Sequence, residues 1–217
     1  MTVCSPRFAL TAAVLLAGIA LVPVPAAAAL PDPARLLEFL EQTHALRADF
    51  TQVVRDGNGK TIQEGQGTMV IERPQRFRWD YRNPSPQLVI SNGKTLWIYD
   101  EDLEQVTVKT VDAALANTPA MLLGSDPKVV ERDYVTTALG GRDGLEWFEL
   151  KPRQEGRDFD RIRIGFGAKL PERMELVDNL GQTTTLSFTA LEQNPRVDPK
   201  AFEFTPPPGI DVIGEAR

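Results

Sequence analysis

The sequence contains very few of the residues that build most catalytic and metal centres. Its 217 residues include one cysteine, Cys4, and one histidine, His44. A histidine cluster for a metal or a cysteine nucleophile therefore has almost no material, and the chain lacks both a G-x-S-x-G motif and a phosphate-binding glycine loop. Asp100 and Asp102 form a carboxylate pair, but they lie in a predicted hairpin turn, where a solvated role is the usual one. We expect no catalytic residue, no metal and no cofactor.

The sequence also lacks a cluster of basic residues. Lysine and arginine together number 24, against 30 aspartates and glutamates, which gives a formal net charge of −6. Such an acidic chain is poorly suited to bind nucleic acid or an anionic membrane surface, so we expect neither as a partner. The composition, with 42% hydrophobic and 25% charged residues, is otherwise that of a globular domain.

A long hydrophobic run occurs only near the amino terminus. Arg7 precedes the apolar stretch 8–22, and Pro23 and Pro25 interrupt the chain before a run of alanines at 26–29. This order is typical of a secretory signal peptide, because the stretch is short for a membrane span and a helix breaker follows it. A retained membrane anchor is the alternative. We interpret residues 1–29 as a signal peptide and residues 30–217 as one exported domain.

Cysteine is absent from that predicted domain. Cys4 lies ahead of the apolar stretch and would leave with the signal peptide, and no cysteine follows the stretch to accept a lipid anchor. The domain can therefore form no disulfide bond, and its roughly 190 residues must be stabilised by a hydrophobic core.

The most informative stretch is residues 72–81, which predicts a strand with an aromatic face. Phe77, Trp79 and Tyr81 alternate with charged residues, so all three share one side of the strand. The strands that follow, at 87–91 and 95–99, are apolar on both faces and are joined by Asn92-Gly93, a strong hairpin signal. Such strands must be covered on both faces or must line a cavity. From the residues alone, a filled core and a ligand cavity both remain open.

The rest of the chain predicts a mainly β protein with about 10 or 11 strands, arranged as a barrel or a strongly curled sheet. Strands are expected over 46–54 and 61–72, where Gly65 and Gly67 indicate a bulge, and again from Tyr134 onward. Short helices are expected at 33–42, 112–116 and 119–123, with further helical turns after 126 and after 198.

The helix predicted at 119–123 favours a cavity over a filled core. It carries Met121, Leu122 and Leu123 in succession, which makes it apolar on more than one face. Inserted into a curled sheet, such a helix would plug a cavity that the sheet alone leaves open.

An ordered set of short motifs resembles the periplasmic outer-membrane lipoprotein carrier family. In chain order the motifs are Phe50-Thr-Gln52, Gly65-Gln-Gly67, Arg73-Pro74, Phe77-x-Trp79, Ser91-Asn-Gly-Lys-Thr-Leu-Trp97-x-Tyr99, Gln105-Val-Thr, Asn117-Thr-Pro119 and Phe202-x-Phe204-Thr-Pro-Pro. Each piece is a weak signal by itself, but the ordered set extends over essentially the whole predicted domain. Asn92 stands where the family pattern has an aspartate, and both residues suit the same turn.

The resemblance implies an unclosed antiparallel β-barrel with a short helical lid over a hydrophobic cavity. It implies a monomeric carrier in the periplasm, not an enzyme, that accepts acylated lipoproteins from an inner-membrane ABC transporter. The carrier would shield the acyl chains and deliver the lipoproteins to an outer-membrane receptor lipoprotein. That receptor shares the fold but has a lipidated amino-terminal cysteine, which the predicted domain lacks. The alternative is a periplasmic lipid-sensing or structural β-domain with a filled core and no transport role.

The resemblance also implies which residues form the site. From sequence alone Arg73 would be a solvated charge at a strand end, but the family pattern indicates an arginine that hydrogen-bonds carbonyl groups at a lid-helix end and holds the lid shut. Phe77 is expected at the cavity mouth. The residues expected to line the cavity are Phe50, Met69, Phe77, Trp79, Tyr81, Ile90, Trp97, Tyr99, Met121, Leu122 and Leu123.

Export is expected to remove residues 1–29, so that the exported protein begins near Leu30 and carries no lipid. The alanine run at 26–29 and the lack of a cysteine after the apolar stretch both lead to this expectation. Intact-mass spectrometry of the protein recovered from the periplasmic fraction checks it. A retained leader, or the added mass of a diacylglyceryl group, would contradict the prediction.

Overall fold

Twelve strands form one sheet in the computed structural model, which describes residues 1, 30, 32–111, 123–154 and 159–214. The strands are β1 Ala45–Arg55, β2 Thr61–Glu72, β3 Arg76–Asn83, β4 Gln87–Asn92, β5 Thr95–Asp100, β6 Gln105–Thr110, β7 Tyr134–Arg142, β8 Leu145–Pro152, β9 Phe159–Phe166, β10 Pro171–Asp178, β11 Thr183–Gln193 and β12 Asp211–Ile213. The helices are α1 Ala34–Gln42, α2 Pro127–Asp133 and a 3₁₀ helix at Pro199–Phe202.

The sheet is an unclosed barrel, as predicted. Its strand order is β12-β6-β5-β4-β3-β2-β1-β11-β10-β9-β8-β7, so that β12 and β7 are the two ends. Neighbouring strands are antiparallel except β12, which pairs parallel to β6. The sequence predicts about 10 or 11 strands, and β12 is not among those expected from it. Three residues carry too little periodicity to predict a strand, and β12 forms because β6 offers it a free edge.

The two α-helices pack against the concave face of the sheet. In α1 the apolar residues Leu36, Phe39 and Leu40 are buried, and the ring of Phe39 lies 5.3 Å from that of Phe166 in an edge contact. The α2 helix begins where Asp126 accepts a hydrogen bond from the main-chain N–H of Lys128 at 2.9 Å, which is an ordinary carboxylate cap. Across the described ranges, no helix has both the length and the apolar character that a membrane crossing requires.

The helices predicted at 112–116 and 119–123 lie outside the described residues, apart from Leu123. Leu123 and Gly124 are helical, and Leu123 is buried. It belongs to one continuous apolar cluster with α1, α2 and the concave face of the sheet. The concave face and the helices therefore share a single core.

Gly67 marks a break in the regular pairing of β2 with β3. The register shifts between Gln66 and Gly67, which confirms the predicted bulge. A Cβ atom on Gly67 would lie 1.8 Å from the carbonyl oxygen of Asp80, well inside any tolerable contact. Only glycine lets the two strands approach this closely.

Replacing Gly67 by alanine is expected to lower the free energy of unfolding by roughly 2–4 kcal/mol, because the Asp80 backbone must move to admit the methyl group. Chemical denaturation followed by circular dichroism measures the change. Gly141→Ala is the matched control, since a Cβ atom there meets nothing within 4 Å. Equal midpoints for the two variants would show that the β2–β3 bulge tolerates a side chain.

Candidate functional site

Arg73 joins the end of β2 to two helical segments. Its Nε donates a hydrogen bond to the carbonyl oxygen of Leu123 at 2.9 Å. Its Nη1 donates to the carbonyl oxygen of Thr43 at 2.9 Å and also to that of Leu40. These acceptors lie at the carboxyl end of α1 and in the helical turn at 123–124, where helices leave carbonyl groups without partners of their own. One guanidinium therefore satisfies main-chain acceptors from both segments.

The environment of Arg73 is unusual for a cation. Burial lowers the pKa of Arg73 to about 10, and the negative charge of Asp126 partly offsets this effect. The group stays charged at neutral pH, yet its hydrogen bonds go to neutral carbonyl dipoles. Nη2 is buried and has no hydrogen-bond partner among the residues that the structure describes. The arrangement holds the helical segments in place but leaves part of the cation's bonding capacity unused.

The main chain reinforces this junction. The N–H of Arg73 donates to the carbonyl oxygen of His44 at 2.8 Å, and the N–H of Gln75 donates to that of Gly124 at 3.2 Å. We name α1, α2 and the helical residues 123–124 together the helical cover. The segment 73–75 thus contacts the helical cover on both sides.

Beneath the helical cover lies a closed apolar interior. Phe77 and Met69 are 0% exposed and Trp79 is 3% exposed. The ring of Phe50 lies 5.1 Å from that of Trp79 and 5.1 Å from that of Tyr81. The structure brings these five predicted residues together on the concave face, and in this conformation none of Phe77, Met69 or Trp79 is open to a ligand.

The aromatic row ends in a polar pair. Tyr81 donates its hydroxyl hydrogen to Oε1 of Gln52 at 3.0 Å, and burial raises the pKa of Tyr81 to about 12. Beyond this pair a pocket of about 500 Å³ opens at the end of β2 remote from Arg73. Its lining is Thr51, Gln52, Val53, Glu64, Gly65, Gln66, Asn83 and Pro84. None of these lining residues belongs to the buried apolar cluster.

Three of the residues predicted for the cavity lie on the opposite face of the sheet. Ile90 pairs with Arg78 on β3 and with Trp97 on β5, which puts it on the convex side. The rings of Trp97 and Tyr99 lie 6.2 and 5.8 Å from that of Phe204. The prediction that Ile90, Trp97 and Tyr99 line the cavity is therefore wrong, because the carboxyl-terminal segment supplies a second cover for this face.

Of the three remaining residues predicted for the cavity, one lies within the described part of the chain. Leu123 is buried in the interior cluster, and its own carbonyl oxygen accepts the bond from Arg73. Met121 and Leu122 lie outside the described residues, and their place in the cavity stays a prediction.

Sequence reasoning missed the acceptors on α1 and the role of Phe204. The apolar face of α1 was visible in the sequence and could have placed this helix over the interior. A carbonyl acceptor such as that of Thr43 leaves no trace in sequence, because every residue carries one. Phe204 was part of the quoted motif, but its spacing alone does not say which strands it covers.

Comparison with known proteins identifies the family. The family described as "Outer membrane lipoprotein carrier protein LolA" matches residues 41–205. The outer-membrane lipoprotein carrier protein of Cupriavidus necator is 43% identical over 193 residues, covering 87% of this chain and 90% of its own. That of Chromobacterium violaceum is 41% identical over 204 residues, covering 94% and 95%.

A solved structure supports the fold. An uncharacterised conserved protein from Thermus thermophilus superposes with a TM-score of 0.52 at 12% identity, over 84% of this chain and 99% of that one. At this identity the likeness concerns the fold alone. The sequence relatives decide membership, and they confirm the resemblance on which the sequence analysis relied: the chain belongs to the LolA family of outer-membrane lipoprotein carrier proteins.

Proposed function

We propose that this protein carries lipoproteins through the periplasm and shields their acyl chains on the concave face of its sheet. The observation that carries the proposal is the junction at Arg73, where one guanidinium holds the helical cover over a largely apolar interior. Hydrogen bonds to carbonyl groups can break and re-form without altering the sheet. Displacing the helical cover therefore exposes a continuous apolar surface.

The energetics of acyl transfer fit such a closed resting state. Moving an acyl chain into water costs about 0.8 kcal/mol for each CH₂ group, or roughly 10 kcal/mol for a long chain. A carrier must offset most of this cost and still release its cargo. Because Phe77 and Met69 are fully covered here, cargo has to displace the helical cover, and that step lowers the net affinity to a reversible value.

The partners follow from the same role. An ABC transporter of the inner membrane would load the carrier, and a receptor lipoprotein of the outer membrane would accept the cargo. The carrier itself needs no nucleotide in this scheme, and it acts as a binding protein with no catalytic step. Residues 1–29 would direct it to the periplasm.

A filled-core domain without a transport role is the second candidate, since complete burial of Phe77 fits it equally well. Extraction of lipoproteins from inner-membrane vesicles that contain the transporter separates the two. A carrier releases lipoprotein into the soluble fraction as a complex with itself. Failure to extract any lipoprotein with active transporter present would favour the filled core.

Arg73→Leu is expected to load lipoprotein but to release it to the receptor at least tenfold more slowly. The substitution removes the bonds to Leu123 and Thr43, each worth roughly 1–3 kcal/mol, so the opened state becomes more populated and holds its cargo. Transfer of labelled lipoprotein to immobilised receptor gives the rate.

Arg47→Leu is the matched control for this variant. Arg47 is 43% exposed and pairs with Glu192 and the carbonyl oxygen of Arg196, away from the helical cover. It should transfer cargo at the wild-type rate. If Arg73→Leu matched that rate as well, Arg73 would have only a structural role.

Phe77→Glu is expected to weaken binding of an acylated fluorescent probe, more strongly at pH 8 than at pH 5. An ionised carboxylate at this fully buried position loses its hydration, which raises the pKa of the new carboxyl group. Below that raised pKa the group is neutral, so part of the affinity returns. Phe77→Leu, which keeps the site apolar, should bind almost equally at both pH values. A pH-independent loss in Phe77→Glu would contradict the explanation.

A further inference from the structure

Trp79 has a hydrogen-bond donor for which the described residues provide no acceptor. The side chain is 3% exposed, and its indole N–H is buried without an acceptor anywhere in the described ranges. An indole N–H can donate one hydrogen bond and cannot accept any. Buried donors of this kind are rare in folded proteins, and each one calls for a reason.

The described neighbours of Trp79 explain why its N–H finds no acceptor among them. Its cross-strand partners on β2 and β4 are Met69 and Val89, which are both apolar. The ring of Phe50 packs against it at 5.1 Å. The next polar groups along the concave face, Tyr81 and Gln52, are bonded to each other at 3.0 Å.

The second buried tryptophan on the described sheet shows how a buried indole N–H is usually satisfied. Trp147 is 1% exposed, and its Nε1 donates to the carbonyl oxygen of Arg142 at 3.0 Å. The fold therefore satisfies an indole N–H where the residue is purely structural. Phenylalanine at position 79 would fill the same apolar site without an unpaired donor, so the indole needs another explanation.

The cargo of the proposed function brings the missing acceptor. An acyl chain ends in a carbonyl group, whether an ester or an amide links it to the rest of the molecule. Trp79 lies two residues along β3 from Phe77, or about 7 Å, on the same concave face. A chain that enters past Phe77 can place its carbonyl oxygen beside the indole while its methylene groups pack against the apolar interior.

We propose that the indole N–H of Trp79 donates a hydrogen bond to an acyl carbonyl oxygen of the cargo, so that the protein distinguishes acyl chains from plain hydrocarbon. The inference rests on the proposed function. In the closed state this donor lacks an acceptor among the described residues, which makes the unliganded protein less stable, and in the loaded state the carbonyl oxygen satisfies it. Trp79 is thus a specificity-determining residue within an otherwise apolar site.

The test compares two probes of equal chain length, a dipalmitoylglyceryl-cysteine peptide with ester linkages and its ether-linked analogue. Wild-type protein should bind the ester roughly three- to tenfold more tightly, the value of one hydrogen bond, because an ether lacks the carbonyl oxygen. Replacing Trp79 with benzothienylalanine, which keeps the ring shape but has no N–H, should reduce the ratio of the two affinities to about one. Trp79→Phe should do the same.

Trp97→Phe is the matched control, because Trp97 lies on the convex face against Phe204 and should leave the ratio unchanged. The indole ¹⁵N–¹H spectrum of wild-type protein gives a reading that needs no variant. The Trp79 proton should move downfield with the ester probe and not with the ether probe.

Equal binding of the two probes to wild-type protein would overturn this inference and leave carriage intact. An unmoved Trp79 resonance in the ester complex would overturn it as well. Binding of neither probe would instead count against the proposed function.

Discussion

The closed structure depends on the buried guanidinium of Arg73, which is held by hydrogen bonds to uncharged carbonyl groups. The side chain of Arg73 contributes to closing the helical cover through hydrogen bonds to the carbonyl oxygens of Leu40, Thr43 and Leu123. A carboxylate partner would fix the guanidinium more strongly and would leave a stranded charge whenever the two separated. Carbonyl groups avoid this, because water can replace the guanidinium at each of them. Under the proposed function, the closure has to be firm enough to keep water out of the interior and weak enough to reverse.

The two faces of the strands β3, β4 and β5 have different kinds of cover. On the convex face, Phe204 packs against Trp97 and Tyr99, and the parallel strand β12 anchors the same segment to β6. On the concave face, the cover is helical and is joined through the side-chain bonds of Arg73 and the main-chain bond from Gln75 to Gly124. Under the proposed function, the convex face stays covered while the concave face exchanges its own helices for a ligand.

The sequence predicted the parts of this fold that follow from local periodicity. The aromatic alternation at 77–81 located β3 and the face of its three rings, and the two glycines of β2 predicted the bulge at Gly67. The local sequence pattern did not predict features that depend on contacts with distant segments of the chain. Trp97 and Tyr99 look like cavity residues until Phe204 is seen to pack against them. The lack of an acceptor for the Trp79 indole among the described residues depends on its whole three-dimensional surroundings, which no local pattern contains.

The unclosed sheet has a consequence for the size of the interior. In a closed barrel, hydrogen bonds around the whole circumference fix the number of strands, their tilt and hence the radius. Here β12 and β7 end the strand order without pairing to each other in the described chain. The sheet can therefore change its curvature by small changes in twist along every strand pair, with all its ladders intact. The width of the interior can therefore vary, which suits one protein to hydrophobic cargo of different sizes.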